Sequence, residues 1–212
     1  MDVHEIAPRL WHWTSPHPDW EPEDARNGGW EEIVSSYACV ATGSLVLFDP
    51  QIPADEEDAA RLWEALDREV QHHGPPSILI TIYWHVRSAL KIRDRYAGAS
   101  IWAYEPAGKW FDEQVSDPKA FNLGDSLPGG VEALPMHHLQ EVAYWLPSHK
   151  ATVLGDTVLG GDGRARLCPA SWLRPGESMD EVRLAAHRIL KFPENRLLLT
   201  HGGPTEPSRL EV

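Results

Sequence analysis

A chain of 212 residues with 32 Asp and Glu against 19 Lys and Arg carries a formal net charge of −13, and 42% of its positions are hydrophobic. That length fits one domain of roughly 100–200 residues whose core needs no disulfide or metal staple, which excludes a disordered segment or a mini-protein scaffold. The acidic excess opposes the clustered Lys and Arg that nucleic-acid binding requires.

No apolar run nears the roughly 18–20 residues of a membrane helix, and residues 1–5 (Met-Asp-Val-His-Glu) lack the basic and apolar regions of a signal peptide. The expectation is a cytoplasmic protein with a single domain spanning 1–212 and no membrane or nucleic-acid partner. Cys39 and Cys168 form no CxxC or zinc-ribbon spacing, so they read as buried thiols. Of the ten Trp residues, Trp11, Trp13, Trp20, Trp30, Trp102 and Trp110 fall outside helical patterns and read as core or loop anchors. Exposed Trp in the N-terminal loop would either cover a pocket or form a homodimer contact.

Along the chain, His12 to Gly29 is punctuated by Pro16, Pro18, Pro22, Gly28 and Gly29 and predicts a surface loop. Alternation over Glu32 to Val40 and the run Ser44 to Phe48, separated by Ala-Thr-Gly, predict two strands joined by a tight turn. Asp49-Pro50 ends the second. Apolar residues at Ala59, Leu62, Trp63, Leu66 and Val70 predict an amphipathic helix over Asp55–Gln71, its acidic first turn favoured by the helix dipole. A buried strand follows at Ser77–Thr81, a short helix at Ser88–Tyr96 and a strand at Ala99–Ala103, whereas Pro106–Gly130 reads as loop. Strands are then expected at Val131–Leu134, Glu141–Leu146 and Ala151–Leu154, a helix at Met179–Leu190, and a last strand at Arg196–Thr200. Antiparallel strands first, then alternating helix and strand through both halves, predict an α/β sandwich with helices outside two packed sheets.

Three strand ends carry chemistry when read together: 134–138 (Leu-Pro-Met-His-His), 153–156 (Val-Leu-Gly-Asp) and 198–202 (Leu-Leu-Thr-His-Gly). Their order and spacing resemble the metallo-β-lactamase-fold hydrolases, in which a His follows a central strand, a Gly-Asp ends the next and a His-Gly closes the domain. His138, Asp156 and His201 match those positions, and 44–50, ending in Asp49-Pro50, resembles the family's early strand. The resemblance implies a four-layer αββα fold and a zinc-type site in which imidazole and carboxylate ligands leave a position open for water, whose pKa falls toward neutrality.

The family's first ligand motif, His-x-His-x-Asp-His, is degenerate here. Aligned on Thr81, its four ligand positions hold Ile82, Trp84, Val86 and Arg87; shifted by one they hold Tyr83, His85, Arg87 and Ser88, so the two-metal site is lost in either register. Two arrangements stay open. One is a single Zn, Fe or Mn ion on His138, Asp156 and His201 with His85 as a fourth ligand, Asp156 and His138 serving catalysis. The other has no metal, with the Arg87 guanidinium in the ion's place and paired to Asp156.

The resemblance thus implies a divergent hydrolase acting on an ester, thioester, amide or phosphodiester. The alternative is a non-catalytic binder whose cleft, lined by Tyr83, Trp84 and Arg87, takes a planar or anionic small molecule. Other histidines have plainer readings: His72 and His73 sit at a helix C-terminus, where terminal carbonyls attract them, and His12 and His17 lie in the Pro-rich loop. No Gly-x-Ser-x-Gly elbow, phosphate loop or dinucleotide fingerprint is present.

Overall fold

The structure is a computed structural model that describes residues 3–136, 140–161, 163–192 and 196–211. In chain order its first half contains β1 (His4–Ala7), β2 (Leu10–Pro16), β3 (Ile33–Ala41), β4 (Ser44–Phe48), α1 (Glu56–His73), β5 (Ser77–Leu79), α2 (Ala89–Arg95), β6 (Ser100–Tyr104), α3 (Gly108–Phe111) and β7 (Lys119–Phe121). The second half contains β8 (Glu132–Pro135), β9 (Val142–Leu146), β10 (Ala151–Leu154), β11 (Val158–Gly161), β12 (Arg164–Leu167), α4 (Met179–Ile189), β13 (Arg196–Leu199), β14 (Gly203–Thr205) and β15 (Leu210–Glu211).

Strands β1 to β7 form one sheet in sequence order, antiparallel through β4 and parallel from β4 to β7. A second sheet has the order β14-β13-β10-β9-β8, with β10 and β13 parallel, and β11, β12 and β15 make a small third sheet.

The period-two alternation of the hairpin strands decides how these layers stack. Ala38, Val40, Leu45 and Leu47 face a core shared with Leu62 and Leu66 of α1 and Ile92 of α2. Tyr37, Cys39, Val46 and Phe48, one residue out of phase, face Val142, Tyr144, Val153 and Leu198 of the second sheet. On that sheet's other face, Ala143, Leu154, Leu197 and Leu199 pack on Ala185 and Ile189 of α4. Two mixed sheets are therefore sandwiched between helices, the αββα order expected from the sequence. Strands buried on both faces explain why 45–48 and 197–199 read as unbroken apolar runs.

Local signals seat the elements. Thr42 and Gly43, with φ of 46° and 80°, give the tight β3–β4 turn the positive φ values it needs. Asp55 caps α1 by accepting from Asp58 N–H at 2.9 Å, and Ser178 with Glu181 forms a capping box on α4. At the far end of α1, His72 Nδ1 lies 2.6 Å from Arg68 O, the carbonyl contact expected of it. Both cysteines are buried free thiols, and burial pushes Cys39 up to about 12.

Two stretches differ from the sequence expectation. The predicted loop from His12 begins only after Pro16, because 10–16 pair along their whole length with β3 and bury Trp13 and Ser15. Proline ends this strand rather than preventing it. The stretch Pro106–Gly130 contains α3 and β7, which adds in parallel to β6 through Trp102, Ala103 and Tyr104. The third small sheet had no periodic signature, its strands being two to four residues long.

Among the described residues, no helix is long and apolar enough to cross a membrane.

Candidate metal centre

The parallel pairs β4/β5 and β10/β13 end at the same edge of the sandwich, and the residues that follow those four strands meet there. Cross-sheet hydrogen bonds fix this edge: Tyr37 Oη donates to Leu199 O (2.7 Å), Tyr144 Oη to Ile80 O (2.7 Å), Val142 N–H to Thr81 O (2.9 Å) and Ser35 N–H to Thr200 O (2.9 Å). Brought together are Asp49 after β4, His85 in the 3₁₀ turn Tyr83–Val86 after β5, Asp156 after β10 and His201 after β13. All four are buried.

Asp49 sits at the floor with φ of 42° and accepts from three donors: Thr81 N–H on Oδ1 at 2.9 Å, and the Thr81 hydroxyl and His85 Nδ1 on Oδ2, the latter at 2.9 Å. A carboxylate only accepts, so Asp49 holds the His85 proton on Nδ1 and leaves Nε2 with a free lone pair. That lone pair points into a cluster: His85 Nε2 and His201 Nε2 each lie 3.1 Å from Asp156 Oδ1, and 3.4 Å from one another. Asp156 Oδ1 is buried with no aligned donor, as is His201 Nδ1. Only the contact between the two imidazoles has hydrogen-bond geometry, so Asp156 Oδ1 converges on the two Nε2 atoms without a proton aligned to it.

Ligands bound to one tetrahedral zinc ion at about 2.0–2.1 Å stand about 3.3–3.4 Å apart, so these three separations fit a single ion with a fourth position left for water or another residue. His85, Asp156 and His201 are the group among the described residues able to hold a metal.

The electrostatics of the three residues differ. Burial opposes charge on His85, but Asp156 and Asp49 outweigh it and raise the pKa, which favours a second proton on Nε2 that a bound ion would have to displace. Burial pushes His201 down to about 4, so its imidazole is neutral at pH 7. Burial would also raise Asp156, yet His85 and His201 hold its carboxyl well below the usual range, in the ionised form that a ligand requires.

Asp156 is gripped from both sides. The buried Glu141 accepts from Gly155 N–H (3.1 Å) on one oxygen and from Thr157 N–H (2.7 Å) and Thr157 Oγ1 (2.8 Å) on the other, spanning the residue between them. Burial and the Asp156 charge push Glu141 up to about 8 against the pull of these donors. Gly155 is required by space: a Cβ there would lie 2.6 Å from Thr81 Oγ1 and 3.1 Å from Glu141 Cδ. The second oxygen of Asp156 accepts from Trp84 Nε1 at 2.7 Å.

Over the cluster lies the loop after β2. Trp30 packs on the His201 ring at a centroid distance of 4.7 Å and meets His17 edge-on at 5.1 Å. Trp20 Nε1 donates to Trp30 O (3.1 Å) and Arg166 Nη2 to Gly29 O (2.7 Å), which pin the loop down. Beneath it, His17, Asp19, Trp30 and Trp84 with His85, Asp156 and His201 line an inner cavity of about 250 Å³.

The sequence-derived site residues fall into four groups. His85, Asp156 and His201 meet in the cluster; Trp84 and Arg87 flank it; His138 lies outside the described residues. Tyr83 turns away from the cleft to stack on Trp110 at 5.2 Å while its hydroxyl accepts from Arg174 Nη2 at 2.8 Å.

The expected Arg87–Asp156 pair does not form. Arg87, at φ of 43°, donates from Nη1 to the carbonyls of Ser35 (3.1 Å) and Asp49 (3.0 Å), which direct the guanidinium toward the ends of β3 and β4. Residues that sequence reasoning did not assign are Glu141, Asp19 and the orienting role of Asp49. The only available signal for any of them was an acid beside a strand end.

No protein-family model matches the chain, and no curated protein matches it. Solved structures do. A metallo-β-lactamase from Pontibacter korlensis is 15% identical with a TM-score of 0.68, the match covering 98% of this chain and 94% of that one. The DIM-1 metallo-β-lactamase is 16% identical with a TM-score of 0.67, covering 98% and 92%. A metallo-β-lactamase family protein from Thermus thermophilus is 16% identical with a TM-score of 0.66, covering 97% and 78%. Identity at this level speaks for architecture alone, and on that evidence the chain has the metallo-β-lactamase fold.

Proposed function

We propose that the protein is a hydrolase built around one zinc-type ion held by His85, Asp156 and His201. The observation that carries this reading is the convergence of His85 Nε2, Asp156 Oδ1 and His201 Nε2 at 3.1, 3.1 and 3.4 Å with no hydrogen bond aligned to Asp156 Oδ1. Two imidazoles and a carboxylate suit Zn, and Fe or Mn less selectively. Such an ion, when bound, lowers the pKa of its water enough to supply hydroxide near neutral pH.

The chain's own residues account for the rest. Asp49 fixes the His85 tautomer, Glu141 immobilises Asp156 through its two neighbours, and Trp84 holds the second Asp156 oxygen so that the carboxylate presents one oxygen to the cluster. Trp30 narrows solvent access to His201, which strengthens every charge interaction inside.

The test is metal content by mass spectrometry on protein purified without chelator or affinity metal, followed by an ester, thioester, amide and phosphodiester panel with Zn, Mn or Fe. About one ion per chain and turnover abolished by His201→Ala is the expected result. Retention of no metal after incubation with all three ions overturns the reading and leaves a non-catalytic binder in this cleft.

A further inference from the structure

Beside the inner cavity, and sharing His17, Asp19 and Trp84 with it, lies an outer cavity of about 470 Å³. Arg87 and Lys91 line it against a single carboxylate, Asp19. Arg87 spends only Nη1, on Ser35 O and Asp49 O; its Nε and Nη2 are buried and have no hydrogen-bond partner within the protein. Two charge-assisted donors of a residue that lines the cavity are thus buried with nothing in the protein to accept them, an arrangement that costs folding free energy. Lys91 is exposed and makes no ion pair among the described residues.

Trp84 separates the two cavities. It is 37% exposed and tethered by Nε1 to Asp156 at 2.7 Å, which fixes an indole face at a set place beside the ligand cluster. Gln51, Ser88 and Gln114 also line the outer cavity.

We propose that the outer cavity is a substrate subsite for a planar group bearing a carboxylate or phosphate, stacked on Trp84 with its anion attracted by Arg87 and Lys91, while the hydrolysable bond lies in the inner cavity. This rests on the metal-hydrolase reading for the position of the bond, but not for binding of the anion. An aromatic face and a guanidinium side by side discriminate a planar anion from its neutral analogue.

The probes are naphthalene-2-carboxylate and its neutral methyl ester, each titrated by calorimetry and by Trp fluorescence into the full chain, with naphthyl phosphate as a third arm to separate carboxylate from phosphate. The carboxylate should bind at least fivefold more tightly than the ester. Lys91→Glu, an exposed change that leaves the fold intact, should weaken the anions at least fivefold without altering the ester or the Zn stoichiometry. Trp84→Leu should weaken carboxylate and ester alike.

Equal binding of carboxylate and ester, or anion affinity indifferent to Lys91→Glu, overturns the subsite whether or not the protein holds zinc. Discrimination in a protein that takes up no metal supports the subsite while the metal reading fails.

Discussion

Removing the Glu141 side chain should destabilise the fold and loosen the proposed metal site together. In Glu141→Ala the N–H groups of Gly155 and Thr157 and the Thr157 hydroxyl all lose their acceptor. The two stranded buried N–H groups alone, at about 1–3 kcal/mol each, give roughly 2–6 kcal/mol, to which the lost packing adds. For a chain of this size about 2–4 °C accompanies each kcal/mol, so the melting temperature should fall on the order of 10 °C or more. Glu141→Gln keeps the volume and one acceptor oxygen, strands at most one of the two N–H groups, and should cost about 1–2 kcal/mol.

Asp156 is held between the two bonded neighbours, so zinc affinity should also drop about 10- to 100-fold in the Ala variant, as for other residues that orient a ligand. Thermal unfolding by circular dichroism and competition with a chromogenic chelator measure the two effects. A Glu141→Ala protein melting within about 3 °C of the parent, with unchanged zinc affinity, would refute the clamp.

Asp49→Asn should free the His85 ring to change tautomer and reduce zinc affinity by about 10- to 100-fold, read by the same chelator competition. Asp156→Asn should abolish zinc-dependent thermal stabilisation; a melting temperature still raised by zinc would place the ion elsewhere. Gly155→Ala forces a Cβ to within 2.6 Å of Thr81 Oγ1 and should cost about 1–3 kcal/mol, measured as a shift in the urea midpoint. Stability should also fall in mild acid. Burial, with a smaller contribution from His4, lowers His12 from 6.5 to about 4. The unfolded chain therefore takes up a proton between those values that the folded chain refuses, and the His12 contribution is intact above pH 6.5 and lost toward pH 4. His12→Gln should flatten that part of the pH–stability curve, and an unaltered slope counts against the assignment.

Much of the site was legible in the sequence where it sits at a strand end. Gly155-Asp156 and His201-Gly202 follow β10 and β13 closely, so apolar runs locate them. His85 was harder, because it lies in a 3₁₀ turn with a non-helical residue inside it, where counting along a strand no longer gives the register. Tyr83 and Trp84 are neighbours in sequence, yet one stacks on Trp110 and the other bonds Asp156.

The sequence by itself determined the layers. Alternation in β3 and β4 and helical spacing in α1 and α4 dictate which side chains face which core, and period-two and 3.6-residue patterns are local properties of a chain. Tertiary structure alone decided the partners. Arg87 carries a charge that sequence reasoning directed to Asp156, but its backbone turn and two carbonyls from distant strands direct it elsewhere. Glu141 becomes a clamp because β9 and β10 run antiparallel, placing its carboxylate against Gly155 and Thr157. A hydrogen bond depends on direction over a few tenths of an ångström, and that direction is set by the packing of several elements at once.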